Sequence, residues 1–176
     1  MRIWIQYSQG QIIKLVDTPH LLCYAAPKRL IGRKKSNMAV FVTGATGFMG
    51  KHVVQILRSR GIEVKCLVRT PAKENILPQP GVDIHYGSIN NRDALQAAIW
   101  DVDAVIHLVA IIRESRNATF IETNYQGTEN VVQAAKEAGV KHFIQLSAIG
   151  AEDNAQYRYL HSKWLGEQSV IKSGMP

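Results

Sequence analysis

The chain has 176 residues, 46% of them apolar and 20% charged, which is enough for one compact domain with a sizeable core and excludes a disordered composition. Its longest apolar run, residues 104–112, is nine residues broken by His107, far short of the roughly 20 that span a bilayer. Seven basic residues against Asp17 give residues 1–37 a charge of +6 out of the total of +7, so the remainder is near neutral and carries no electrostatic signature of nucleic-acid binding. Two cysteines, Cys23 and Cys66, exclude a disulfide framework and point to a reducing compartment, the cytoplasm. The six histidines show no metal-ligand spacing, so no metal is expected.

The chain changes character at Asn37-Met38. IWIQY and IIKLV near the start could pair as a hairpin, and Arg33-Lys34-Lys35 reads as a solvated linker. Residues 1–37 are expected to be a basic leader outside the fold, with Met38 as the natural start. From Ala39 the sequence alternates strand and helix. AVFVT (39–43) suits a strand buried on both faces, followed by a helix from Phe48 to Arg60 that stops at Gly61. EVKCLV (63–68) and VDIHY (82–86) read as strands and 92–100 as a short helix. DAVIHLVA (103–110) is a strand, 119–138 a long helix, KHFIQLS (141–147) a strand and 155–172 the last helix. This alternation predicts an α/β fold, a doubly wound parallel sheet of about five strands of the Rossmann type.

Gly44-Ala45-Thr46-Gly47-Phe48-Met49-Gly50 lies between the first such strand and its helix. In that context Gly44 serves the tight turn, Gly47 admits a pyrophosphate to the backbone and Gly50 lets helix and strand pack closely. The helix N-terminus then offers free N–H groups to phosphate. An acid that would bond the ribose 2′-hydroxyl of NAD is absent: no carboxylate lies between Glu63 and Glu74, and Arg69 stands 19 positions after Gly50. An arginine there suits a 2′-phosphate, so NADP is expected over NAD; a solvated strand-end cation is the plainer reading of Arg69.

With TGATGFMG, HLVA, NYQGT and YLHSK read together, residues 38–176 resemble the extended and atypical short-chain dehydrogenase/reductases, the NAD-dependent epimerase/dehydratase group. VRT, HLVAIIRE and LSAIGA most resemble bacterial relatives of the nucleotide-binding accessory subunit of respiratory complex I and NmrA-like proteins. The resemblance implies a cofactor site built from Gly44, Thr46, Gly47, Phe48, Met49 and Gly50, from Arg69, from Ser88 and Ile89 where the family often carries an aspartate, and from Leu108, Val109 and Ala110 beside the cofactor. It also implies that the chain is the cofactor half of a longer protein whose substrate lobe lies beyond Pro176.

The same resemblance implies a catalytic set. Tyr159 and Lys163, four apart on the last helix and so on one face, match the family's YxxxK pair. The ammonium would lower the tyrosine pKa from about 10, and Lys163 would also bond the nicotinamide ribose. Ser147 would orient the substrate oxygen. A packed ring beside a cation that reaches out to solvent is the competing reading of the pair, and Tyr157 competes with Tyr159. Asn124 reads as a bond to backbone or water, or as helix surface; Arg113 and Glu114 as substrate contacts or a loop ion pair; His107 and Cys66 as packed core. These residues are compatible with two functions. One is an oxidoreductase or epimerase/dehydratase acting by hydride transfer on a small molecule. The other is a non-catalytic dinucleotide-binding module that stabilises or regulates a protein partner. The 176-residue chain itself is expected to bind nucleotide without turnover.

Overall fold

The computed structural model describes residues 3–6, 12–15, 38–78 and 80–175. Its strands and helices, in chain order, are β1 (Ile3–Gln6), β2 (Ile12–Leu15), β3 (Ala39–Thr43), α1 (Phe48–Ser59), β4 (Glu63–Val68), β5 (Val82–Tyr86), α2 (Arg92–Ile99), β6 (Ala104–His107), α3 (Gly127–Glu137), β7 (His142–Leu146) and α4 (Arg158–Ser173). A 3₁₀ stretch, Pro71–Ile76, follows β4, and a π-helical segment, Ile121–Gln126, leads into α3.

The sheet order is β2-β1-β7-β6-β3-β4-β5. β7, β6, β3, β4 and β5 run parallel, the expected five-stranded doubly wound sheet. β3 is buried at every position, so its apolar run is accounted for by helices on both faces. One core joins Phe41, Val105 and Phe143 to Leu95, Ile99, Val131 and Val170 under α2, α3 and α4. The other joins Val42, Cys66 and Ile106 to Val54 and Leu57 of α1. Burial pushes the Cys66 thiol up to about 12, leaving it a neutral apolar filler.

The sheet extends beyond the sequence expectation. β1 and β2 pair antiparallel, from Ile3↔Leu15 to Gln6↔Ile12, the hairpin the sequence suggested, and β1 pairs with β7 through Ile5↔Leu146 and Gln6↔Gln145. Residues 1–37 were expected to lie outside the fold; these two segments instead cover an edge that would present unpaired backbone groups. The basic cluster and Cys23 lie outside the described residues. A chain beginning at Met38 is expected to keep its nucleotide affinity, because no leader segment that is described touches the strand ends around β3. It is expected to associate more readily through the bare β7 edge, which light scattering across a concentration series would show. Unchanged scattering would mean the hairpin is not the edge's protection.

Three smaller departures position the site. β6 is shorter than the apolar run suggested. Leu108 N still donates to Thr43 O at 3.1 Å, after which residues 108–110 leave the ladder. The long helix does not start as a regular α-helix: Gly127 N reaches back five residues to Glu122 O, a widened turn of the kind found near functional sites. α4 begins at Arg158 rather than Ala155. It docks closely because Gly166 has no side chain; a Cβ there would stand 2.8 Å from Gln145 Nε2 and 2.9 Å from Asn124 O.

Candidate functional site

Strand order reverses direction between β3 and β6, and the crevice outside the strand C-termini at that point is where open α/β sheets bind ligands. A cleft of about 370 Å³ lies there. Its floor and walls are Thr43, Gly44, Thr46 and Gly47 from the first turn, Leu67 and Arg69 from β4 and its end, Gly87–Asn90 after β5, and Leu108–Ile111 after β6, with Asn117, Ala118 and Thr123 at the far side. Of the residues expected at a cofactor, Gly44, Thr46, Gly47, Arg69, Ser88, Ile89, Leu108, Val109 and Ala110 line this cleft.

Phe48, Met49 and Gly50 do not line it. Phe48 is 73% exposed on the first turn of α1. Gly50 has the packing role expected of it, since a Cβ there would come within 2.1 Å of Gly44 O. Gly44 has φ +73, the left-handed region that glycine enters without strain. The α1 N-terminus has no side-chain cap and no acid in its first turn, so its free N–H groups face the loop without competition. Arg69 is exposed on the cleft wall. Thr43, Leu67, Gly87, Asn90, Ile111, Asn117, Ala118 and Thr123 were not anticipated. Thr43 had a signal, as the one polar residue ending an otherwise apolar strand.

Behind the cleft is a buried polar layer. Thr128 Oγ1 donates to Asn124 O at 2.8 Å, which uses its one proton. It can therefore only accept from His107 Nε2, 3.1 Å away. His107 is thus the Nε2–H tautomer, and Nδ1 accepts from the Thr43 hydroxyl at 2.6 Å. Burial, and then the charge of Lys163, lowers the His107 pKa from 6.5 to about 3. Asn124, wholly buried, accepts from Ile111 N at 2.8 Å and donates to Ile111 O and Ser162 Oγ. Of its two readings the backbone bond is the one observed, and it fixes the cleft-lining Ile111.

Ser147, Tyr159 and Lys163 lie beside this layer and outside the residues lining the cleft. Lys163 is 1% exposed, and Nζ donates to Leu146 O at 2.7 Å, leaving two N–H donors unused by side chain or backbone. Burial pulls its pKa down to about 8 against the opposing charge of Glu167. Tyr159 is half-buried and meets Phe120 edge-on at 5.6 Å. Burial raises its phenol pKa, the opposite direction to the lowering expected from the lysine. Ser147 donates its hydroxyl to Glu167. The structure therefore gathers the three residues at the end of β7 and on one face of α4 without joining them to each other. Glu114 pairs with Arg158, the first residue of α4, at 2.8 Å and accepts from Phe120 N. Tyr157 is 52% exposed.

Residues 44–174 match the family of NAD(P)H-binding domains. The chain is 33% identical over 138 residues to an NAD(P)H azoreductase of Xenophilus azovorans, covering 77% of this chain and 44% of that protein. It is 32% identical over 138 residues to the photosystem II assembly factor Ycf39 of Synechocystis sp., covering 78% and 42%. The chain thus spans less than half the length of these relatives. The crystal structure of the Bordetella bronchiseptica enzyme WbmH in complex with NAD⁺ superposes with a TM-score of 0.65 at 27% identity, covering 79% of this chain and 54% of that one. Among the described residues no helix is long and apolar enough to cross a membrane. The glycine turn, the cleft at the strand reversal and the match over most of the described domain agree: the chain belongs to the NAD(P)H-binding, Rossmann-type family with reductase- and epimerase-like relatives.

Proposed function

We propose that this chain supplies the dinucleotide site of a cytoplasmic NADP(H)-dependent reductase acting on a small molecule. The observation that carries the reading is the cleft itself, which brings together the Gly44 and Gly47 turn, the uncapped α1 N-terminus that follows it and Arg69. The lining fits the cofactor: the glycine turn leaves its backbone bare of side chains, and Arg69 is exposed on the wall; Lys163, outside that lining, is a buried ammonium with donors to spare. Bound there, the nicotinamide supplies or accepts a hydride. Backbone N–H groups of the glycine turn and α1 would hold the diphosphate, Arg69 the 2′-phosphate, Ser88 and Ile89 the adenine side, and Lys163 the nicotinamide ribose hydroxyls. Tyr159 would exchange a proton at its phenol oxygen with the substrate. Its raised pKa suits the protonated form, an acid that gives a proton to an oxygen or nitrogen being reduced. The likeness to an azoreductase fits that direction.

A second reading has its own support. Ser147 is committed to Glu167, Tyr159 lies outside the cleft, and one relative is an assembly factor. In that reading the nucleotide stabilises a module that holds a protein partner. Two experiments separate the parts of the proposal. Calorimetry should show NADPH bound at least about tenfold more tightly than NADH, with Arg69→Ala reducing NADPH to the NADH value, since a lost charge-assisted pair is worth roughly 1.5–3 kcal/mol. Equal affinities in the unaltered chain would remove Arg69 from the site. Nicotinamide absorbance with azo and carbonyl substrates should show turnover in the protein carrying its substrate-binding chain and loss of it in Tyr159→Phe. Retained turnover in that variant would exclude Tyr159 as the acid, and no turnover with nucleotide bound would favour the module.

A further inference from the structure

Glu167 stands one turn after Lys163 on α4 and reaches the end of β7. There Ser147 donates its hydroxyl to Glu167 Oε1, while the preceding carbonyl, Leu146 O, takes Lys163 Nζ at 2.7 Å. One carboxylate, one ammonium and one hydroxyl thus converge on two consecutive residues of β7. Among the described residues, those that act on Lys163 are Glu167 from α4, His107 from β6 and the Leu146 carbonyl from β7; Tyr159 stands one turn before it on α4, and Ser147 follows Leu146. His107 is neutral and Tyr159 keeps its proton, so Glu167 carries the negative charge of the cluster. We propose that Glu167 is a positioning residue of the dinucleotide site, one that keeps Lys163 protonated and leaves Ser147 only lone pairs to offer a ligand.

The chemistry follows from the donor count. Serine has one proton, and with that proton on Glu167 its oxygen can accept from a hydroxyl but cannot donate to a carbonyl. Ser147 therefore selects for a hydrogen-bond donor beside the cofactor, such as a ribose or substrate hydroxyl. Lys163 in turn needs its proton to donate to ribose oxygens. Burial works against that proton, and the neighbouring carboxylate works for it; burial likewise raises Glu167, and Ser147 and Lys163 draw it back. That Lys163 holds the ribose rests on the proposed function; that Glu167 governs its proton does not.

The experiment separates the two. The Lys163 side-chain carbon resonance, assigned by its disappearance in Lys163→Met, is followed from pH 6 to 10 in the nucleotide-free chain and in Glu167→Gln, which keeps the shape and a hydrogen-bonding partner for Ser147. The Lys163 midpoint is expected near 8 in the unaltered chain and lower by about one pH unit in Glu167→Gln, the scale of a lost opposite charge at close range. A merely structural role for Glu167 would change thermal stability and leave that midpoint where it was; an unmoved midpoint overturns the proposal. NADPH affinity is then measured on the same three proteins. A loss of about tenfold or more in Lys163→Met, with affinity in Glu167→Gln falling away at lower pH than in the unaltered chain, supports both statements. Full affinity in Lys163→Met would overturn the ribose contact alone, because the resonance titration has already decided the role of Glu167.

Discussion

Gly47→Val is expected to abolish dinucleotide binding, by about a hundredfold or more in Kd, while the sheet stays folded. Gly47 closes the turn by donating its N–H to Gly44 O at 3.0 Å. Its φ of −78 and ψ of 175 are extended backbone, which valine adopts readily. A Cβ there stands 3.1 Å from Gly44 O, a tight contact that the turn must relieve by a few tenths of an ångström, and meets nothing else within 4 Å, so the branched side chain extends into the space a pyrophosphate needs. The cost to folding is a poorer N-cap together with that small adjustment of the turn, on the order of 1–2 kcal/mol, a drop of several degrees in Tm. Gly50→Ala is the converse. Its Cβ would fall 2.1 Å from Gly44 O and 2.5 Å from Ala45 O, so the backbone must move and stability falls before binding is even at issue. Calorimetry and thermal unfolding on both variants check the pair. Unchanged affinity in Gly47→Val would take the glycine turn out of the site.

His107 should make folding stability fall steeply with acid. In the folded chain it stays neutral down to about 3, whereas its ordinary value is 6.5. Between those two values the unfolded chain binds a proton that the folded chain does not, so stability is complete above about 6.5 and declines as the pH falls towards 3. The slope from this one group is about 1.4 kcal/mol per pH unit. The physical origin is burial first and the charge of Lys163 second; Nδ1 already accepts from Thr43, so a second ring proton would also lack a partner in that interior. Urea unfolding at pH 7 and pH 5 is expected to show a drop on the order of 2 kcal/mol, and His107→Asn, lower in stability overall, is expected to lose most of that pH dependence. An equal drop in both chains would place the acid sensitivity elsewhere.

The parts of this structure that were legible in the sequence are those fixed by neighbours in the chain. β3, the glycine turn and α1 follow from an apolar run, three glycines and a helical period. Arg69 was legible because the end of β4 is a fixed step along the same unit. The five parallel strands followed from alternation, since each connection is long enough for a right-handed crossover. What was not legible depends on distant partners. The widened turn at Ile121–Gln126 comes with Asn124 reaching the backbone of Ile111, 13 residues away. β6 ends early because residues 108–110 line the cleft instead of extending the ladder. The hairpin of β1 and β2 was readable as a hairpin, but its docking on β7 was not, because a backbone edge offers no sequence pattern to match. At the site, YxxxK placed Tyr159 and Lys163 on one face of α4, yet Leu146 O and Glu167 were the partners that tertiary packing supplied.

If a dinucleotide lies across the strand ends between β3 and β6, amide chemical-shift mapping during an NADPH titration will locate it there. One saturable site is expected, with the large shifts at Gly44–Gly50, Arg69, Ser88–Ile89 and Leu108–Ile111, and with the amides of α2 and the outer face of α3 still. Shifts centred on that outer helical face, or none at saturating NADPH, would contradict it.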